Sequence, residues 1–79
     1  MKMNNMEHYT YKVNNNVELK IYYPNELGQY RVEHKDEAIG YIYVSAFDNQ
    51  TNETIWLGST EELSLIAGQI GEYLEKIDL

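Results

Sequence analysis

Up to residue 58 the apolar side chains recur at every second position, and from residue 63 onward they recur at every third and fourth. This change of period constrains the fold more than any other feature, because a strand sends neighbouring side chains to opposite faces while a helix gathers residues three and four apart. Tyr9, Tyr11 and Val13 alternate with His8, Thr10 and Lys12. Beyond Asn14, Asn15 and Asn16, the residues Val17, Leu19, Ile21 and Tyr23 alternate with Glu18, Lys20 and Tyr22. The two runs read as a hairpin, with asparagines in the loop because Asn tolerates the left-handed backbone that short hairpins demand. Residues 24–28 read as a turn, Pro24 presetting φ and Gly28 supplying a positive one. A third strand is expected over 30–35, with a reversal at Asp36 and Glu37.

Residues 38–47 are the most strand-like stretch, rich in β-branched and aromatic side chains. Regular alternation sets Ile42, Val44 and Ala46 on a face suited to a covering helix, and Tyr41, Tyr43 and Phe47 on the other. A turn over 48–52 leads to a last strand over 53–57, with Ile55 and Leu57 on one face and Trp56 on the other. Ser59 or Thr60, followed by Glu61 and Glu62, marks a helix start, and Glu62 lies where a capping box headed by Ser59 would place it. The helix is predicted over 60–77, with Leu63, Ile66, Ala67, Ile70, Leu74 and Ile77 as its apolar stripe. The expected fold is α+β: an antiparallel sheet of four to five strands in meander order with one C-terminal helix packed on one face.

A chain of 79 residues has room for one small domain, here 1–79, with 1–7 expected as a loose N-terminal segment. Without cysteine, disulfides, thiolate nucleophiles and Cys-based zinc sites are excluded. No run of signal-peptide or membrane-span length is present, so the expectation is a cytoplasmic protein that does not engage membranes. The net charge of −7 is unevenly placed. Residues 1–40 carry five bases against six acids, whereas 41–79 carry Lys76 against seven acids and so hold −6 of the total. That sign argues against direct nucleic-acid binding, which draws its affinity from Lys and Arg displacing counterions.

Chemistry-bearing patterns are sparse. His8 and His34 stand far apart in polar strand positions with no third ligand at metal spacing, so no metal or cofactor is expected. The 48–53 stretch lacks the glycine and the final glutamate of a calcium loop and reads as a hairpin turn. No nucleophile elbow or phosphate-binding glycine loop occurs, and the chain reads as non-enzymatic. Two features point instead to contact with other proteins. Of eight tyrosines, five (Tyr9, Tyr11, Tyr23, Tyr41 and Tyr43) fall at alternating strand positions, and Tyr41, Tyr43, Phe47 and Trp56 together would form an aromatic platform on the sheet face away from the helix. On the helix, Leu65 stands among Glu61 and Glu72, with Glu62 and Glu75 flanking, opposite the apolar stripe. Ser64, Ala67, Gly68 and Gly71 form a flank of small residues where something approaches closely, either the chain's own sheet or a partner.

The segment 46–57 resembles a hairpin of the phage uracil-DNA glycosylase inhibitor family on Ala46, Asp48, Thr51, Glu53 and Leu57, with Phe47 and Ile55 similar in kind. That resemblance implies a small acidic protein imitating DNA, although the family places its helices first and its strands last. The layout of 40–73 is similar to the sheet-plus-helix of plant AP2 and integrase arm-binding domains, with 55–58 at the strand end and 60–62 at the helix start. Those domains read DNA with Arg and Lys, and residues 40–73 contain neither, so the layout carries over without the DNA binding. Neither likeness assigns a family. The functional expectation is a small acidic interaction protein, an inhibitor that docks on the basic surface of a nucleic-acid-processing enzyme, with Tyr41, Tyr43, Trp56, Glu61, Leu65 and Glu72 as contact residues. The alternative is a self-associating module, a homodimer or small subunit, using the aromatic sheet face.

Overall fold

The computed structural model describes residues 8–78; the expectation for 1–7 lies outside them. Five strands, β1 (His8–Asn14), β2 (Val17–Tyr22), β3 (Tyr30–His34), β4 (Glu37–Asp48) and β5 (Glu53–Gly58), form one antiparallel sheet in the order of the chain. The helix α1 (Glu61–Asp78) follows directly and packs on one face, giving the expected α+β meander. Its start lies over Gly40 and Gly58, and the Tyr73 hydroxyl, near its end, donates to the Thr10 carbonyl at 2.8 Å, so it crosses the sheet from β4 and β5 toward β1.

The core follows from the register. Tyr9 faces Ile21, Tyr11 faces Leu19, Ile21 faces Val32 and Tyr30 faces Ile42, all on the helix side. Leu19, Ile21, Val32, Ile42 and Trp56 from the sheet meet Leu63, Ala67, Ile70 and Leu74 from the helix, and all nine are buried. Fully burying one such aliphatic side chain is worth about 1.5–3 kcal/mol, so this seam is what holds a chain without disulfides together. Tyr9, Tyr11, Tyr30, Ile66 and Tyr73 close its margins. Half of the tyrosine excess therefore belongs to the core rim rather than to an open platform.

Local chemistry explains the connections, with two departures from the expected turns. None of the three hairpin asparagines has a positive φ; instead the Asn14 side chain accepts from the amides of Asn16 and Val17 at 2.7 and 3.0 Å, and a bulge between Lys12 and Asn14 absorbs the mismatch. The β3–β4 hairpin turns at Lys35 and Asp36, one residue ahead of the expected reversal at Asp36 and Glu37, and does so with left-handed backbone at both, which matches the right-handed twist of the flanking strands. The helix is capped by Thr60, whose hydroxyl accepts from the Leu63 amide at 3.1 Å. Ser59 is engaged elsewhere, its Oγ accepting from the Tyr41 amide at 2.9 Å, so the capping box headed by Ser59 does not form. Gly40, at φ +146°, lies where a Cβ would come within 2.6 Å of Leu63 Cδ1, so both backbone and packing demand glycine there.

Candidate protein interface

The largest departure from the sequence reading is the place of Trp56. Tyr43 lies opposite Leu57 and Val44 opposite Trp56, so Trp56 shares the face of Ile42, under the helix, and not that of Tyr43. It is only 8% exposed, its ring stacks at a tilt on Tyr30 at 5.6 Å, and its Nε1 donates to Glu75 Oε2 at 3.0 Å. The expected platform is therefore corrected at Trp56 and at Phe47. A bulge between Val44 and Ala46 inverts the alternation, pairing Ala46 with Ile55 and Phe47 with Thr54. Since a one-residue shift moves every later side chain to the other face, Ala46 leaves the helix face and Phe47 leaves the open one. Val44, expected under the helix, remains half exposed because α1 covers Ile42 and Gly40 but not the far part of β4.

The open face that results has two parts. On β4 and β5, Tyr41, Tyr43, Ile55 and Leu57 make a modest apolar strip. On β1 to β3 the face is polar and internally paired. Arg31 stacks its guanidinium 4.5 Å from the Tyr22 ring centre and bonds Glu33 at 3.2 Å, while the Tyr22 hydroxyl donates to the same carboxylate at 3.0 Å. His8 also lies beside this group, its ring 5.2 Å from that of Tyr22. Lys20 and Asp36 pair at 2.8 Å. Their hydrogen bond first, and their charges second, raise the Lys20 ammonium above its ordinary value and lower the Asp36 carboxyl below its own. These contacts set Arg31 and Lys20 each against an acid, Glu33 and Asp36.

The helix side remote from the core is different in kind. Leu65 is 78% exposed, and Glu61, Gly68, Gln69 and Glu72 are exposed with it. Their spacings of three and four place them along one line, and that line runs beside β5. Between the two lies a cleft of about 620 Å³, walled by residues 52–56 on the strand and by Leu65, Gly68, Gln69, Glu72 and Glu75 on the helix. Acids occur on both walls, Glu53 facing Glu72 and Glu75 across the cleft, and no base lines it. Of the expected contact residues, the structure thus brings Leu65 and Glu72 together with Trp56, which forms part of the cleft lining, leaves Glu61 on the same helix line beyond it, and sets Tyr41 and Tyr43 apart on the opposite sheet face.

The small-residue flank also divides. Ser64 binds β5 through its hydroxyl, which accepts from the Gly58 amide and donates to the Gly58 carbonyl, both at 3.0 Å. Gly71 lies flat on the Trp56 indole, where a Cβ would collide with Cδ1, Nε1 and Cε2. Gly68 has no such reason, since a Cβ there meets nothing within 4 Å. The sequence reading missed Glu53, Gln69 and the β5 edge as parts of one feature; the only available signal was a glycine at 68 that the helix itself does not favour.

Among the described residues no group of three or more His, Asp or Glu side chains could hold a metal ion, and no helix is long and apolar enough to cross a membrane. No protein-family model, curated protein or solved structure matches this chain.

Proposed function

We propose that this protein is a non-enzymatic interaction protein that docks on a basic surface of another protein through the acidic side of α1. The observation that carries the reading is the uncovered line Glu61, Leu65, Gly68, Gln69 and Glu72, an apolar side chain framed by acids beside an acidic cleft. With −6 of the net charge in residues 41–79, long-range attraction speeds encounter with a cationic partner and repels DNA. An inhibitor of a nucleic-acid-processing enzyme, of the kind phages encode, is the specific form that suits this charge and size. The test is capture of a partner from the native host by wild-type protein, Glu18→Lys and a Glu61→Lys/Glu72→Lys double variant. The double variant is expected to lose the partner, Glu18→Lys to retain it, and salt to weaken it as the Debye length falls from about 10 Å at 0.1 M to about 3 Å at 1 M. Tight binding to duplex DNA, or a partner indifferent to both salt and the helix reversals, would defeat the reading.

A second reading, self-association through the open face, is favoured by one observation: Tyr41, Ile55 and Leu57 remain exposed together on that face of β4 and β5. Sedimentation decides between them, since a concentration-dependent dimer broken by Tyr41→Glu/Leu57→Glu supports the second reading.

A further inference from the structure

The hydrogen-bond pattern of β5 shows which of its backbone groups face outward. The Ser59 amide donates to the Tyr41 carbonyl at 2.8 Å and the Tyr41 amide to Ser59 Oγ at 2.9 Å, so Tyr41 turns its backbone groups toward β5, and by alternation Tyr43 and its partner Leu57 face each other in the same way. The residues between, Gly58 and then Trp56, must direct N–H and C=O away from β4. Gly58 does so, and the Ser64 hydroxyl satisfies both of its groups. Beyond that point β5 is the edge of the sheet: the outward groups of Trp56, and of Thr54 by the same alternation, have no strand beside them among the described residues. An edge of this kind is a template for another strand.

The cleft fits such a strand. Its strand wall, residues 52–56, is about 13–17 Å long at 3.3 Å per residue. Its helix wall from Leu65 to Glu75 is about 15 Å at 1.5 Å per residue. Both lengths match four or five extended residues. Gly68 leaves the middle of the helix wall without a side chain, Leu65 provides an apolar contact at one end, and Glu53, Glu72 and Glu75 surround the path with negative charge. That charge also selects the occupant, because a second copy of this chain paired edge to edge would bring the same acids against one another.

We propose that the cleft between β5 and α1 takes an extended, basic segment of a partner protein as a sixth strand, paired to the backbone of Thr54 and Trp56. The proposal rests on the acidic-docking reading above and gives it a definite mode, strand addition beside a helix. The probe is a five-residue peptide of alternating lysine and valine, blocked at both ends, titrated into the full chain and followed by amide NMR, with Trp56 fluorescence as a second signal. Binding is expected, with the Thr54 and Trp56 amides shifting and gaining exchange protection, and a glutamate–valine peptide is expected not to bind. Gly68→Gln, which fills the cleft without changing charge or crowding the core, should weaken the peptide at least ~10-fold while leaving the melting temperature no lower, and Glu72→Lys should weaken it by ~10-fold. Absence of binding at millimolar peptide, or equal binding of the acidic peptide, overturns the proposal. So does binding that follows salt and Glu72→Lys yet ignores Gly68→Gln and leaves the Thr54 and Trp56 amides unmoved; in that case the strand-addition site fails while acidic docking stands.

Discussion

Gly68 and Gly71 lie one helical turn apart and should respond to the same substitution with opposite signs. In an exposed helix, replacing glycine by alanine gains about 1 kcal/mol, because alanine loses less backbone entropy on folding. At Gly68 that gain is unopposed, since the new methyl group meets only open space. At Gly71 the methyl would lie inside the Trp56 indole, and the ring would have to retreat by roughly 1 Å or more to reach ordinary contact distance. Trp56 has little freedom to do so: Tyr30 stacks on it and the Glu75 bond ties it to the same helix. Overpacking of this kind costs about 1–3 kcal/mol, commonly exceeding the propensity gain. Gly68→Ala is therefore expected to be about 1 kcal/mol more stable than wild type and Gly71→Ala up to about 2 kcal/mol less, and at about 4–8 °C per kcal/mol for a domain of this size the two melting temperatures should separate clearly. Thermal unfolding by circular dichroism measures both, and Trp56 fluorescence should change in the Gly71 variant alone. Equal rises in stability at both positions would show that α1 does not rest on Trp56, and a loss at Gly68 would show that its side of the helix is already covered.

Ile70 is fully buried between helix and sheet, so Ile70→Asp places an unpaired charge in the core at several kcal/mol, comparable with the whole stability expected of 79 residues; a cooperative melt like that of wild type would refute the packing described. The Asp36 carboxyl should titrate by NMR below its ordinary value and return to it in Lys20→Met, because the Lys20 hydrogen bond and charge are what lower it. A depressed carboxyl stabilises the fold above its unfolded pKa and loses that contribution as pH falls through the folded one, while the raised Lys20 contributes below its ordinary pKa and loses it as pH rises through its own folded value. Both side chains are well exposed, so the effect on stability should be small. An Asp36 titration unchanged by Lys20→Met would refute the pairing.

The sequence alone determined the elements and their order. Two-residue alternation in 8–58 and three- and four-residue spacing beyond it leave one economical solution, a meander of strands closed by a helix, and the stripe from Leu63 through Ile66, Ala67 and Ile70 to Leu74 already names the helix face that the core uses, while its last expected member, Ile77, lies beyond the sheet contact and stays exposed. Composition likewise located the excess negative charge and the isolated Leu65. What the sequence could not determine was any property that depends on register between strands. A bulge adds one residue without leaving a mark in the hydrophobic pattern, and the bulge between Val44 and Ala46 was enough to exchange the faces of Ala46 and Phe47. The face of Trp56 depended on which residue of β4 it opposes, a long-range pairing that local alternation does not encode. The small-residue flank was visible, but only the crossing of α1 over β5 separated Gly71, held by an indole, from Gly68, held by nothing. The cleft is the furthest from sequence: it exists because the last strand is an edge and the helix lies beside it, so acids from 53, 72 and 75 meet only after the chain has folded back on itself.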